Sequence, residues 1–403
     1  MSPEELYKII QQPENSLVEF KRDDIRPESL AKEIVAFANF KGGHIIIGVD
    51  DISKEIIGLQ RKNFEEWLMD TVFAKYITPS IIPIYQEISL ENDKKLAVIT
   101  VEQGSLKPYA VKKSETETIY IRIGSTSRIA DREQILRMSQ ESGYYHFEIA
   151  PVSGTSIHQI DSELFSHFYK KTMEEEVVDW NDFQLRLSQL DFLVAGTRSE
   201  FVCSIAGLIL FGKDILRFLP QYGIRIIRYK STEVELECIE DKLFTNPIAR
   251  IKKLAEIEKN GIVDSAITYL AEHLSEVKID KDGITRIREW RVPESILREL
   301  IVNGLIHRDY TKRTKNEIRI FSDRIEFESA GRLPNTLTIE KIKIGQKYPR
   351  NPILVQYAQY LNLMEHKGLG IRKVVLAELK KHGFAEPIFQ ETEDSFCVIV
   401  YFK

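Results

Sequence analysis

The sequence predicts an α/β (α+β) protein with more than one domain, and three observations lead to this prediction. The chain has 403 residues, which is too long for one compact core. Short alternating or wholly apolar runs, typical of strands, are interspersed with segments whose apolar residues recur at helical spacing. Hydrophobic residues make up 43% of the chain and charged residues 29%, as in ordinary globular proteins.

The first predicted domain covers residues 1–145 and alternates helices with strands. Residues 3–11 carry proline in their first turn and read as a short helix, and residues 17–22 alternate as a strand. The stretch "PESLAKEIVAFANFKGG" has helical spacing that ends at two glycines, and the buried strand "HIIIGVDD" follows it. The domain is completed by a helix near 62–77, the strands "IIPIYQEIS", "KLAVITVEQ" and "ETIYIRIGS", and the helix "DREQILRMSQ".

The rest of the chain is predicted to form a mixed α/β connecting domain over 146–290 and a C-terminal module over 291–403. The connecting domain is expected to contain helices over 159–173, 180–189 and 246–274, and strands in "FVCSIAGLILFG" and "YGIRIIRYK". The module is expected to contain the helix "PESILRELIVNGLIHRDY", the strands "NEIRIFS" and "RIEFESAG", the helix "NPILVQYAQYLNL", a glycine turn, another helix and the strand "SFCVIVYFK". This order predicts a second layered α/β arrangement, a sandwich of helices on a sheet.

Composition and cysteine placement argue against several classes of protein. The longest apolar runs are far shorter than a membrane span, so no membrane partner is expected. The first ten residues read as a polar helix and not as a signal peptide. Cys203, Cys238 and Cys397 lie far apart, which argues against a disulfide framework and a cysteine-rich zinc site. A cytoplasmic location is therefore expected, and the net charge of −5 does not by itself demand nucleic acid.

The stretch "ENSLVEFKRD" contains the first candidate site. Alternation along the strand should place its two apolar residues toward the core, and Glu19 and Lys21 on the opposite face. Glu14 enters this strand, and Asp51 follows a strand that one helix links to it, so three carboxylates would converge if the strands are neighbours. Such a cluster favours a divalent cation, and a lysine beside it can stabilise charge on a phosphate. A solvated, ion-paired surface is the alternative interpretation.

Three separated motifs, "ENSLVEFKRD", "IVAFANFKGGHIIIGVDD" and "YIRIGSTSRIA", together resemble the AlbA-type domain of Schlafen proteins. In ribonuclease members of that family, two glutamates and an aspartate form a metal-dependent site that cuts transfer and ribosomal RNA. The resemblance places these acids at Glu14, Glu19 and Asp51, as catalytic residues and as ligands of Mn²⁺ or Mg²⁺. It places Lys21 beside them as a further catalytic residue.

The resemblance also implies a nucleic-acid partner: transfer RNA or another structured RNA, with DNA as the alternative. Phosphate contacts are predicted for five basic residues: Arg22, Lys112, Lys113, Arg122 and Arg128. Schlafen cores of animals contain a zinc site and two lobes that clasp the RNA. This chain has one lobe and no candidate zinc ligands, so a homodimer is predicted to complete the grip. Many microbial proteins with this domain are called transcriptional regulators, which leaves a non-catalytic DNA-binding regulator open.

The stretch "RELIVNGLIH" contains the second candidate site, because Glu299, Asn303 and His307 recur on one helix face. A polar network is the ordinary explanation of such a stripe. The last third of the chain, however, resembles the GHKL-type ATPase module found in RecG-related regulators. In that module the glutamate activates water and the asparagine holds magnesium on the triphosphate. The resemblance adds three glycines to the nucleotide-binding residues: Gly331, Gly368 and Gly370.

The nucleotide motif departs from the ATPase pattern at Ser329 and Leu333. Ser329 stands where an aspartate should bind the adenine amino group, and Leu333 replaces a glycine. ATP as a cofactor is therefore predicted to bind weakly or not at all, and no P-loop sequence offers another phosphate site. The leading hypothesis is a divalent-metal-dependent endoribonuclease acting in stress or phage defence. A DNA-binding regulator with a ligand-sensing C-terminal module is the alternative, and an ATPase is a third hypothesis.

Overall fold

The computed structural model describes residues 1–90, 94–143, 145–196, 200–253, 256–279, 286–334, 337–364 and 370–403. The chain divides into two units, Met1–Tyr145 and His146–Lys403. Both units mix helices with sheets, which confirms the predicted α/β (α+β) class. Within the described ranges, every helix is too short or too polar to cross a membrane.

The first unit is built on two four-stranded sheets. Its helices are α1 (Pro3–Ile10), α2 (Pro27–Asn39), α3 (Phe64–Trp67), α4 (Ala74–Tyr76) and α5 (Arg132–Glu141), with a π-helical segment (Leu68–Phe73) between α3 and α4. Its strands are β1 (Val18–Lys21), β2 (Gly43–Ile47), β3 (Ile77–Thr78), β4 (Ile84–Ser89), β5 (Lys95–Val101), β6 (Ala110–Lys113), β7 (Thr116–Ile123) and β8 (Thr126–Ile129). The two sheets have the strand orders β1-β2-β5-β4 and β3-β6-β7-β8.

Helix α2 explains how β1 and β2 can lie side by side in parallel. Parallel neighbours need a crossover connection, and α2 supplies it, beginning with Pro27 at its first turn. The register places Glu19 of β1 opposite Ile45 of β2. After α2 the chain turns at Gly42, whose φ is +78° and where a Cβ atom would lie 2.6 Å from the carbonyl oxygen of Val101. This turn therefore requires glycine and fixes where β2 begins.

The second unit is built on a six-stranded sheet covered by helices. Its helices are α6 (Ser162–Met173), α7 (Trp180–Gln189), α8 (Ile205–Phe211), α9 (Ile215–Phe218), α10 (Ile262–Leu274), α11 (Glu294–Ile306), α12 (Ile339–Lys343), α13 (Pro352–Tyr360) and α14 (Ala377–Lys381), with a π-helical segment (Gly370–Leu376) before α14. Its strands are β9 (Leu193–Ala195), β10 (Phe201–Cys203), β11 (Ile224–Arg228), β12 (Glu240–Phe244), β13 (Ile251–Lys253), β14 (Glu256–Lys259), β15 (Ser275–Ile279), β16 (Arg286–Trp290), β17 (Asn316–Ile320), β18 (Arg324–Ala330), β19 (Ile388–Glu391) and β20 (Ser395–Tyr401).

The six-stranded sheet has the order β12-β11-β17-β18-β20-β19. Its first two strands come from the segment predicted as a connecting domain, and the other four from the predicted C-terminal module. Strands β11 and β17 are parallel, while the other neighbours are antiparallel. Ile226, Ile318 and Val398 point into the core, where α11 packs on β18. The opposite face carries ion pairs such as that of Arg319 with Glu328.

Two predicted elements differ from the structure. The apolar run "FVCSIAGLILFG" was expected as one strand, but β10 ends at Cys203 and α8 follows. Ser204 begins this helix, since its Oγ accepts a hydrogen bond from the N–H of Gly207 at 3.0 Å. A buried helix and a buried strand have equally apolar sequences, so the run alone could not decide. The helix expected over 246–274 begins only at Ile262, and β13 and β14 precede it.

Candidate functional site

Glu19 lies at the centre of a buried group of charged side chains in the first unit. Glu19 and Lys21 are separated by one residue on β1, so both side chains lie on the same face of the strand. Glu19 is only 5% exposed. Its Oε1 accepts a hydrogen bond from Lys21 Nζ at 2.5 Å, and its Oε2 accepts one from Arg122 Nη2 at 2.6 Å. Both oxygens of this carboxylate are therefore bound by cations of the chain itself.

Arg122, on β7, joins Glu19 to helix α2. Its Nη1 donates to Glu33 Oε2 at 3.0 Å, and its Nη2 also donates to the carbonyl of Asn15 at 2.9 Å. The guanidinium carbon lies 4.6 Å from the centre of the Phe37 ring. The prediction that Arg122 contacts phosphate is contradicted, because the side chain is buried between two carboxylates. We refer to Glu19, Lys21, Glu33 and Arg122 as the Arg122 cluster.

Lys21 lies at the edge of the Arg122 cluster, and its side chain is 19% exposed. Its Nζ lies 3.8 Å from Oδ2 of Asp51, an acid that is nearly half exposed. Burial acts to lower the pKa of Lys21. The hydrogen bond that Lys21 donates to Glu19 and the negative charges of Glu19, Glu14 and Glu33 outweigh burial and raise that pKa above its usual value. Lys21 therefore carries a positive charge at neutral pH.

The structure does not bring Glu14, Glu19 and Asp51 together as ligands of one ion. Glu14 accepts a hydrogen bond from the backbone N–H of Phe20 at 2.9 Å. Asp51 and Glu19 each form an ion pair with Lys21, whose ammonium group lies between them. Across the described parts of the chain, no group of three or more His, Cys, Asp or Glu side chains is placed to hold a metal ion. The predicted Mn²⁺ or Mg²⁺ site does not fit this arrangement, because the chain's own cations occupy the oxygens of Glu19.

The other four predicted phosphate contacts, Arg22, Lys112, Lys113 and Arg128, are all exposed to solvent. Lys112 and Lys113 end strand β6, and Arg128 lies on β8 of the same sheet. Lys113 also forms an exposed ion pair with Glu28 at 3.0 Å. Exposed cations on one sheet can reach the phosphates of a nucleic acid without a change in the core.

The second unit contains a cavity of about 240 Å³ beside helix α11. Apolar side chains from β17, β18 and β20 form much of its wall. Four of the predicted nucleotide-binding residues line it: Glu299, Asn303, His307 and Gly370. The volume lies slightly below the roughly 300–1,000 Å³ typical of small-molecule sites. The cavity therefore suits a small ligand with an apolar ring.

The polar residues of α11 contact one another at the cavity. Asn303 Nδ2 donates to Glu299 Oε1 at 2.9 Å. The backbone at Gly370 approaches the same carboxylate so closely that a Cβ atom there would lie 1.6 Å from Oε1, and this approach requires glycine. Burial and the positive charge of Arg350 lower the pKa of His307 to about 4. The imidazole is therefore neutral at pH 7 and able to accept a hydrogen bond.

Two polar residues of the cavity wall, Ser329 and Asn316, form hydrogen bonds with backbone groups. Ser329 lines the cavity from β18, and its hydroxyl donates to the carbonyl of Phe396 at 3.2 Å. Asn316 also lines the cavity, and its amide bonds the carbonyl of Gly304 at 2.7 Å and the N–H of Ala330 at 3.2 Å. The acceptors that Ser329 and Asn316 offer to a ligand are a hydroxyl and an amide oxygen, which are weaker than a carboxylate.

Of the other two predicted glycines, Gly331 does not line the described cavity. Gly331 is absent from the described lining residues, although its φ of +93° places it in a tight turn against Asp309 and Arg350. Gly368 lies outside the described residues. The structural support for the nucleotide motif therefore comes from α11 and Gly370.

Sequence reasoning missed several residues of both sites. Glu33 is 7% exposed on α2, and Ser127 Oγ donates to its Oε2 at 2.5 Å. A carboxylate within an otherwise apolar stretch of helix was the available signal, since buried acids are nearly always paired. Lys347 and Arg372 line the cavity and would favour an anionic ligand, but no motif pointed to them.

Two parts of the chain match known families. Residues 14–131 match the family described as "Schlafen, AlbA_2", and residues 314–400 match the one described as "Putative ATP-dependent DNA helicase recG C-terminal". The chain is also 33% identical over 157 residues to an uncharacterized ATP-binding protein of Ureaplasma parvum serovar 3. That match covers 32% of this chain and 44% of the relative, so the chain spans less than half of that protein.

Two solved structures are similar to this chain. The DIP2311 protein of Corynebacterium diphtheriae is 19% identical with a TM-score of 0.45, over 96% of this chain and 75% of that one. The N-terminal domain of a RecG-related protein of Nitrosomonas europaea is 21% identical with a TM-score of 0.25, over 33% of this chain and 93% of that one.

The family matches confirm both resemblances seen in the sequence. The first match contains the whole Arg122 cluster, and the second contains the strands β17 and β18 and all but the last residue of β20, beside the cavity. The chain therefore combines an N-terminal Schlafen AlbA_2 domain with a C-terminal RecG-related, ATPase-like module.

Proposed function

We propose that this protein binds nucleic acid through its first unit, binds a nucleotide in the cavity of its second unit, and changes its nucleic-acid affinity when the nucleotide binds. This is the regulator hypothesis raised by the sequence. The observation that carries it is the pairing of Glu19 with Lys21 and Arg122. A carboxylate that is already neutralised does not repel phosphate as an unpaired acid would, so the acids are compatible with binding in the absence of metal.

The nucleotide part of the proposal rests on the cavity beside α11. Glu299 and Asn303 line it together with Lys347 and Arg372, so that an apolar wall has polar and cationic groups around it. The relative from Ureaplasma parvum is named as an ATP-binding protein, which supports a nucleotide as the ligand class. Because Ser329 offers a hydroxyl in place of a carboxylate, the affinity for ATP is expected to be low.

Binding of labelled nucleic acid, followed by fluorescence anisotropy, tests the first part. An RNA hairpin and a DNA duplex of equal length are titrated with protein, in EDTA and at several salt concentrations. Arg128→Ala and Lys112→Ala are each expected to weaken binding and to reduce the salt slope by about one. Lys95→Ala is the control, since Lys95 is an exposed cation on the other sheet, where it pairs with Glu87 at 3.5 Å. Equal losses in all three variants would contradict the proposed surface.

The link between the two units is tested by adding Mg-ATP to the same titration. A shift in nucleic-acid affinity that disappears in Asn303→Ala supports regulation through the cavity. A shift that persists in Asn303→Ala would mean that ATP competes directly at the nucleic-acid surface. No shift at millimolar Mg-ATP would reject regulation by this nucleotide.

A metal-dependent endoribonuclease that cuts transfer RNA, in stress or phage defence, is the second candidate. Its support is that Lys21 contacts both Glu19 and Asp51, so that a cation and two acids lie at neighbouring parallel strands. This function would require Glu19 to exchange its present partners. Incubation of labelled transfer RNA with Mn²⁺ or Mg²⁺, with and without EDTA, tests it. Metal-dependent cleavage that is lost in Glu19→Ala would favour the nuclease over the regulator.

A further inference from the structure

We infer that Arg122 is a built-in counter-ion of the acids in the first unit and that it keeps divalent metal ions away from them. The positions of the acids in the structure disagree with the metal site that the sequence motif predicts. The acids that were expected to gather around a metal ion are separated, and the most buried of them faces a guanidinium. It rests on the first unit alone and does not depend on the proposed function.

The charges of the Arg122 cluster balance without an external ion. Glu19 and Glu33 are 5% and 7% exposed, and two buried carboxylates near each other would repel. Arg122 separates them, with Nη2 at 2.6 Å from Glu19 and Nη1 at 3.0 Å from Glu33. Lys21 supplies the second positive charge, at 2.5 Å from Glu19. Two longer ion pairs at 3.8 Å, of Lys21 with Asp51 and of Lys32 with Glu33, add one charge of each sign. The charges remain paired, which is the condition under which a buried ionic group is tolerated.

Arg122 is held too firmly to behave as a surface side chain. It is 2% exposed, it donates to the carbonyl of Asn15 at 2.9 Å, and it lies against the ring of Phe37. A flexible arginine could swing away when an ion arrives, whereas this one would have to leave a carbonyl, an aromatic ring and two carboxylates. Its geometry is therefore that of a positioning residue for Glu19.

A divalent ion would compete with Arg122 for the same lone pairs. Mg²⁺ and Mn²⁺ bind carboxylate oxygens directly. In the present arrangement, Lys21 and Arg122 each occupy one oxygen of Glu19. An ion at Glu19 would also lie beside two fixed positive charges, which oppose its binding. Removing the charge of Arg122 should therefore open a metal site that the unchanged protein does not have.

Titration of the full-length protein with Mn²⁺, in the absence of nucleic acid, tests the inference. Bound and free Mn²⁺ are distinguished by electron paramagnetic resonance, and folding is checked by circular dichroism. The variants are Arg122→Gln, which removes the charge, Arg122→Lys, which keeps it, and Glu19→Gln. The double variant Arg122→Gln/Glu19→Gln identifies which carboxylate binds any ion that appears.

The unchanged protein and Arg122→Lys are expected to bind Mn²⁺ no more tightly than Glu19→Gln does. Arg122→Gln is expected to bind Mn²⁺ roughly 100-fold more tightly, because one opposing charge at contact distance has been removed. The double variant should lose this gain. A merely structural arginine would produce instability without a gain in metal affinity, and that result would overturn the inference. If Arg122→Gln does not fold, the unchanged protein and Glu19→Gln can still be compared. Tight binding of Mn²⁺ to the unchanged protein that is lost in Glu19→Gln would also overturn the inference.

Discussion

Glu19 is the single residue on which the first unit depends most. The sequence predicted that Glu19 lies on the strand face opposite the core, but the structure buries it beside Arg122 and Lys21. Breaking a buried ion pair leaves an uncompensated charge and typically costs about 3–5 kcal/mol. Because Arg122 keeps Glu33 as a partner, we expect Glu19→Ala to lower the free energy of unfolding by about 2–4 kcal/mol, measured by urea denaturation.

Asp51→Ala is the matched control for this experiment. Asp51 also contacts Lys21, but at 3.8 Å and with a side chain that is 47% exposed. An exposed ion pair of this kind contributes about 0–1 kcal/mol. Similar losses of stability in Glu19→Ala and Asp51→Ala would show that Glu19 is solvated in solution and that the Arg122 cluster does not form.

Glu148 gives a prediction of pH dependence in the second unit. It is fully buried, and its Oε1 accepts a hydrogen bond from the N–H of Ile353 at 2.7 Å. Burial raises the pKa of Glu148 from 4.5 to about 8, so the folded protein retains a proton that the unfolded chain releases. Stability from this group is therefore fully present below pH 4.5 and is lost as the pH rises toward 8.

Glu148→Gln should remove this pH dependence, because glutamine is neutral throughout and can accept the same hydrogen bond from Ile353. Between pH 5 and pH 8, the unchanged protein should lose about 3–4 kcal/mol relative to the variant. Urea denaturation of both proteins at several pH values measures the difference, in which other titrating groups cancel. Parallel stability curves would mean that Glu148 has an ordinary pKa.

Among the secondary-structure elements, helix α11 lines the cavity with one of its faces. Because Ser329 stands in place of an acid, we expect calorimetry to show only weak binding of Mg-ATP, and no hydrolysis that depends on Glu299. Any binding should be lost in Asn303→Ala, whose side chain lines the cavity. Micromolar binding of Mg-ATP that Asn303→Ala abolishes would reverse the expectation and favour the ATPase hypothesis.

The sequence predicted well the elements whose signal is local. The alternation in β1, the helical spacing and terminal glycines of α2, and the apolar strand β2 all occur where expected. The helix within 201–212 was missed because one apolar run fits either element, and the capping role of Ser204 was not recognised. The partners of Glu19 were missed for a different reason: Arg122 lies 103 positions away, and no local pattern reports such a contact.

The oligomeric state of the whole molecule is the property that most directly affects how it would bind RNA. A single Schlafen-type lobe cannot enclose a duplex arm of RNA, so we expect a symmetric homodimer, the commonest form of assembly. Light scattering at micromolar concentration, with and without RNA, measures the mass. A mass of one chain under both conditions would contradict the dimer, and recognition by one lobe would then have to suffice.

The long separation between Glu19 and Arg122 also affects how the chain is made. A ribosome adds about 5–20 residues per second, so Glu19 is synthesised roughly 5–20 s before its counter-ion. The interval between the synthesis of Glu33 and that of Arg122 is almost as long, since 89 positions separate the two residues. Strand β1 and helix α2 therefore leave the ribosome before the arginine that joins their two acids has been made. The pairing of Arg122 with Glu19 and Glu33 is thus a late event in the folding of the first unit, because it cannot precede the synthesis of β7.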